Sequence, residues 1–344
     1  FTSELSSDIE TSDYTIYDIS KYSEKKPKVF EKIYSDPLKY SNDSISNKSE
    51  ASSLTLITLN AILKHRGVVL EIKEGKKISD EIEVCYLSEG QEKPAIFNPY
   101  LLVVCNKNAS IRLKEIYDNS QKDLWLNTVT EVHLENNAEV VHTRIQKHKH
   151  KGFRTSSLNL NLSENSNYSC FLYNESSIRE DIRSNLNEQG AKCEINGVLA
   201  STANSFSDVC CKIKHASKET YSNQNWRLLS AYKGKAAIQG KIRVDKGSHK
   251  SEGHFNCKSL LFNDRAVAFS KPELEILEDN VVCSHASSIG ELDEEALFYL
   301  QSRGIAYELA VKMLLNAFIE SICRDESTKD LMRSEFDSYL DALI

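Results

Sequence analysis

The feature that most constrains this chain is a change of hydrophobic period. From about residue 67 to 283, apolar and polar residues alternate in short runs, such as Ile82-Glu83-Val84-Cys85-Tyr86, Tyr100-Leu101-Leu102-Val103-Val104 and Lys192-Cys193-Glu194-Ile195. A period of two sends successive side chains to opposite faces of a strand. Polar turn signals separate the runs: Glu74-Gly75, Asn106-Lys107-Asn108, Glu135-Asn136-Asn137, Glu164-Asn165 and Asn196-Gly197. Many short strands with tight turns and almost no helix between them specify a mainly β protein. The spacing fits a sandwich, a barrel or a solenoid, and the recurring Asn-rich turns lean towards the solenoid.

The flanks read differently. Residues 35–50 are polar and loop-like, and residues 52–64 place Leu56, Leu59, Ile62 and Leu63 at helical spacing before Arg66-Gly67, a pairing that suits a helix stop. Beyond residue 285 the period becomes 3.6. A first helix is expected over residues 293–302, opened by Asp293, Glu294 and Glu295 and closed by Arg303-Gly304, with acids at the positive end of the helix dipole. A second is expected over residues 307–323, with Leu309, Ala310, Met313, Leu314, Ala317, Phe318 and Ile322 as its apolar stripe, and a third from about Lys329. The expected organisation is an N-terminal helical or irregular segment (1–66), a β core (67–285) and a C-terminal helical domain (286–344).

Composition removes several functions. A formal charge of −7 argues against a general nucleic-acid binder. There is no run of 18 apolar residues to cross a membrane and no secretory pattern at the start. The sequence opens on Phe1 without an initiating Met, which reads as a fragment or processed form. Nine cysteines, irregularly spaced and without a C-x-x-C pair, form neither a disulfide framework nor a zinc-finger pattern. They read as small buried hydrophobes in a reducing compartment. No G-x-x-x-x-G-K-[ST] loop occurs, so ATP is not expected to bind here by a Walker A motif.

Residues 232–305 carry a resemblance. Gly240-Lys241-Ile242-x-Val244, Lys271-Pro272-Glu273-Leu274-Glu275-Ile276, Val282-Cys283-Ser284-His285 and Gly290-Glu291-Leu292-Asp293 occur in order, followed by Leu297-Phe298-Tyr299-Leu300 and Ser302-Arg303-Gly304-Ile305. Together these resemble the C-terminal core of the SufB/SufD family, and Cys-Ser-His with Gly-x-Leu-Asp-Glu-Glu resembles the SufD side of it. The chain departs from the family at His285-Ala286-Ser287-Ser288, at residues 248–259, and at Cys210-Cys211 between Asp208 and His215.

The resemblance implies a right-handed parallel β-helix with helical flanks, acting as a non-catalytic scaffold in iron–sulfur cluster assembly. It implies a complex with SufB, through the β-helix, and with two copies of the ATPase SufC, through the C-terminal helices. Phe298, Tyr299, Arg303, Gly304, Met313 and Leu314 are the SufC-docking candidates. His285, with Cys283 beside it, is the candidate ligand for iron or a transient cluster at the SufB interface. Sulfur would arrive from a cysteine desulfurase via SufB, and some members associate with a reduced flavin (FADH2). The implied compartment is the cytoplasm, or an organelle stroma or matrix, and a homodimer in isolation stays open.

Other readings compete at each position. Spacing alone makes His285 and Cys283 a helix-entry His and a packed thiol; one His and one Cys cannot complete a four-ligand site. The same pair could serve as thiol nucleophile and base, which requires an orienting third group. Asp208 and His215 read as a polar pair, and at most one of Cys210 and Cys211 is expected to be buried. His249 and His254 read as loop residues, and Lys147-His148-Lys149-His150-Lys151 as a solvated turn. A SufB-like sulfur-accepting subunit and a β-helix enzyme acting on polysaccharide are the alternative functions.

Overall fold

The computed structural model describes residues 9–18, 24–26, 59–60, 67–88, 95–119, 124–146, 152–175, 177–202 and 205–343. The polar stretch at 35–50 and the Lys/His run at 147–151 lie outside the described residues. Of the expected helix at 52–64 only Leu59 and Asn60 are described, and both are helical.

Strands alternate between two sheets, one of eleven strands and one of eight. From Gly67–Ile72 onwards every pairing within each sheet is parallel; only the leading hairpin, Ile9–Glu10 with Tyr14–Asp18, joins antiparallel. Each coil contributes one strand to each sheet, so neighbours in a ladder are far apart in sequence: Arg154 lies opposite Ile178, and Ala236 opposite Ala268. The fold is a parallel β-solenoid of about seven turns, which selects among the three architectures the strand spacing allowed.

The turns explain why the coils stack. At one corner the chain takes a left-handed residue on every coil but the last: Gly75, Asn108, Asn137, Asn165, Gly190, Glu219 and Lys250. Gly and Asn pay least for this conformation. The N–H of each such residue donates to a carbonyl of the next coil, as Asn108 to Asn136 (3.0 Å), Asn137 to Glu164 (2.9 Å) and Asn165 to Gln189 (2.9 Å). Asn137 also donates its side-chain amide to the Asn108 carbonyl oxygen, Oδ1, at 3.0 Å. Asn196-Gly197, expected as a turn, lies inside the strand Lys192–Ser201. Gly197 is there because the Trp226 ring occupies the space a Cβ would need.

The coil interior is apolar along most of its length, including Leu160, Ile182, Ile195, Leu228 and Ile242. On the same strands as Leu160 and Ile182 it also holds charge. Arg144 donates to Glu115 (Nε to Oε2, 2.7 Å) and to Glu180, while the Arg154 guanidinium lies 3.8 Å from the Tyr117 ring centroid. Tyr86 stacks on the same Tyr117 ring at 4.8 Å between centroids. Burial raises the Glu115 carboxyl, but Arg144, His142 and Thr130 outweigh it and hold the group well below the usual carboxylate range.

Three helices follow the last strand: α1 (Glu294–Ser302), α2 (Tyr307–Glu320) and α3 (Glu326–Leu343). Asp293 caps α1 through the N–H of Ala296 at 3.0 Å, and Gly304, with φ of 86°, ends it, the stop its Arg-Gly pair predicts. Asp325 accepts from Thr328 N–H (2.8 Å), so α3 starts at Glu326, ahead of the expected Lys329. Helices α2 and α3 cover the outer face of the smaller sheet, packing Val311, Leu315, Ile319, Phe336 and Leu340 on Tyr173, Val198 and Leu229. The buried stripe of α2 is therefore turned from the expected one, because the helix meets the sheet through Val311, Leu315 and Ile319; Leu309 and Met313 face solvent.

Arg144→Met should destabilise the fold by about 3–5 kcal/mol, because buried Glu115 loses its arginine and Glu180 keeps only the longer contact to Arg154 (3.3 Å). A urea unfolding midpoint moved to lower concentration at unchanged slope is the expected result.

Candidate functional site

In the middle of a solenoid, inward side chains are sealed by the coils on either side. At the C-terminal end they are not. The last two strands are Val267–Ile276 in the larger sheet and Val282–Glu291 in the smaller. Each pairs on one side only. Partners in a parallel ladder face the same side. Cys283 is opposite Gly253, His285 opposite Phe255 and Ser287 opposite Cys257, and all three of these partners are buried in the coil. Cys283, His285 and Ser287 therefore point into the mouth of the coil, with no further turn above them among the described residues. Across the mouth, Ala268, Ser270, Pro272 and Leu274 share the inward side of Ala236, Ile238, Gly240 and Ile242.

The floor beneath is set by a matched pair of residues. Phe255 is opposite His285 and buried, and its ring fills the space a side chain at Gly240 would need. His285 is exposed and Cys283 half-buried. Burial pushes the Cys283 thiol up, against the opposing effect of a hydrogen bond to the Gly253 backbone. It is therefore not a preformed thiolate at neutral pH, which removes the main support for a thiol nucleophile. Among the described residues no group of three or more His, Cys, Asp or Glu is placed to hold a metal ion. One imidazole and one thiol suit iron or a cluster, but they make only part of a ligand set.

The docking candidates fall together at α1 and the start of α2. Phe298 (72 % exposed), Tyr299 and Met313 are bare, and the Arg303 guanidinium lies 5.3 Å from the Tyr299 ring centroid. Arg303 and Gly304 are exposed, while Leu314 is half-buried. Tyr307 and Leu309, which the helical period did not single out as exposed, extend the same apolar surface.

Three readings change. Asp208 and His215 are not a pair: they lie seven residues apart on one strand and so face opposite sides. Asp208 is bound by Arg179, while His215 bonds Thr220 Oγ1 (2.7 Å) and Ser222 Oγ (2.8 Å) inside the coil. Cys210 and Cys211 are both buried, because the outer face of the larger sheet is covered at Cys210, as it is at neighbouring Asp181. His254 is on the strand Glu252–Leu261 and bonds Ser284 Oγ at 2.8 Å; it is not in a loop.

A SUF-system iron–sulfur cluster assembly domain, the SufBD core, matches residues 86–318. A SufBD-family iron–sulfur cluster assembly protein of Synechocystis is 26% identical over 267 residues, covering 74% of this chain and 59% of the relative. The Escherichia coli iron–sulfur cluster assembly protein SufD is 32% identical over 162 residues, 46% of this chain and 38% of that protein. A chloroplast-designated Arabidopsis thaliana protein, ABCI7, is 27% identical over 264 residues, 73% of this chain and 55% of its own. The chain thus spans about half the length of these relatives. A parallel β-solenoid with a thiol and an imidazole at its open mouth is the architecture in hand. The chain belongs to the SufBD family of iron–sulfur cluster assembly proteins. No helix among the described residues is long and apolar enough to cross a membrane.

Burial lowers the His215 imidazole to about 4. Its folded value lies below its unfolded one, so its contribution is complete above pH 6.5, declines as pH falls, and is gone below about 4. Urea titrations from pH 7 to 4 should show wild-type losing about 3 kcal/mol more than His215→Gln.

Proposed function

We propose that this chain is the SufD-type subunit of a SufB–SufC–SufD scaffold, and that its mouth supplies part of the ligand set for a cluster built against SufB. The carrying observation is the open mouth: two suitable ligands, Cys283 and His285, point into an end that no described coil closes. A facing mouth on a second solenoid subunit would bring the remaining ligands and exclude water. On this reading His285 is a ligand. Cys283, half-buried with a raised thiol, stands at the edge of the site. The apolar surface on α1 and α2 is the docking face for the ATPase, since α1 buries none of its own residues. ATP is hydrolysed by that partner, and this chain performs no catalytic step.

The test is co-expression of the chain with SufB and SufC from its own source. The reading expects an assembly of one SufB, one copy of this chain and two SufC. Within it, His285→Ala should leave the melting temperature and composition unchanged, because His285 is exposed on the last strand of the solenoid. Cluster yield should fall roughly 10- to 100-fold, the range seen for lesser changes around metal ligands. Recovery of the chain alone, or normal clusters from the variant, would sink the respective half of the reading.

A further inference from the structure

One strand of the smaller sheet, Tyr221–Ser230, turns polar groups into the coil that the rest of the interior does not answer. Its inward residues Ser222, Gln224, Trp226 and Leu228 are all fully buried. Ser222 is met by the His215 imidazole at 2.8 Å. Gln224 is met by nothing: neither its Nε2 nor its Oε1 has a partner among the described residues. The indole Nε1–H of Trp226 has none either. Residues i and i+2 of a strand share a face and lie about 7 Å apart. The amide and the indole N–H therefore belong to one stretch of interior.

The surroundings give the amide no packing reason to be there. Along the ladder Gln224 lies between Ile195 and Phe255, and across the coil the larger sheet turns Ile213 and Ile242 inward. Leucine or methionine would fill such a place. A buried amide left without partners costs a factor of roughly 5 to 150 in the folding equilibrium. Holding one ordered water costs at most about 30-fold, and commonly far less. Water answering both unmet groups therefore wins over a dry interior. The Trp226 ring also has a fixed direction. Its Cζ3–Cε3 edge fills the space a side chain at Gly197 would need, so Nε1, on the opposite edge of the indole, is turned away from Gly197.

We propose that the coil binds a buried water between these groups, which accepts from Trp226 Nε1–H and donates to Gln224 Oε1. Buried waters of this kind serve polar groups that the fold leaves unanswered. A small anion is the poorer ligand, because it leaves Oε1 without a donor and brings a net charge among Ile195, Ile213 and Phe255. The place of the site gives it meaning. Gln224 is one ladder step beneath Phe255, and Phe255 is one step beneath His285. A single aromatic ring thus parts interior water from the mouth. The site belongs to the fold and stands whether or not the chain meets SufB.

The experiment is a crystal structure of the wild-type chain at a resolution that shows ordered water, with a second crystal soaked in sodium bromide. A water within hydrogen-bonding distance of Trp226 Nε1 and Gln224 Oε1, and no anomalous bromide signal there, is the expected result. A direct bond from the indole N–H to the amide, no density between the two groups, or bromide in the site would overturn the proposal. Urea unfolding of Gln224→Leu, Trp226→Phe and the double variant gives an independent check. Groups that share a water are coupled, so the double variant should depart from the product of the single effects by about threefold or more. Independent effects, within about twofold, would count decisively against a shared water.

Discussion

A solenoid is held together by satisfying each coil's backbone with the next coil, and that device has no internal way to stop. Every strand in the middle has a neighbour on both sides, whereas the first and last have an unmet row of N–H and C=O groups. The N-terminal end deals with this inside the chain, by a short antiparallel hairpin on one sheet and by a bulge with charged residues on the other. Among the described residues the C-terminal end has no such device. There the inward-facing side chains reach solvent, together with apolar groups such as Phe269 (61 % exposed), Val282 and Ile289. The place where interior chemistry meets the outside is thus dictated by the architecture, and Cys283 and His285 stand on the strand that defines it.

The rest of the coil is built to keep that end in register. The left-handed corner residues bond each coil to the next. Inside, large side chains are matched to glycine: Trp226 to Gly197, and Phe255 to Gly240. The second pair sets the floor under His285. The ionic cluster around Arg144 lies several coils away and works differently. Its charges spread over Glu115 and Arg144 in one sheet and Arg154 and Glu180 in the other, so a slipped strand would leave a buried charge unpaired. Apolar layers alone would resist such a slip far less, since one leucine replaces another at little cost.

Much of this was legible in the sequence because it is local. Period two, period 3.6, Asp293 at a helix start and Gly304 at a helix end each reflect interactions within a few residues. What was not legible depends on contacts between coils. Asn196-Gly197 has the composition of a turn, and only the Trp226 ring one coil away shows why glycine stands in mid-strand. Asp208 and His215 suggest a pair until strand parity puts them on opposite faces. The α2 stripe was turned because a helix rich in apolar residues all round does not reveal which face meets the sheet. The Cys283–His285 spacing is weak evidence on its own. The assignment came from the resemblance, and the geometry added where both side chains point.

The pieces that carried the resemblance converge on the last two coils, and most have a physical task there. Gly240 makes room for Phe255. Pro272 leaves a gap in one free edge, and Cys283 and His285 enter the mouth from the other. Asp293 and Gly304 bound α1, the helix that follows the mouth strand after only Leu292 and Asp293. A change at any of these alters either the shape of the mouth, the pairing at its rim or the position of the exposed helix beside it. Residues in the middle coils meet a looser demand, to be apolar inward and to turn the corner, which many sequences satisfy. The recognisable sequence therefore gathers where the chain stops being self-sufficient.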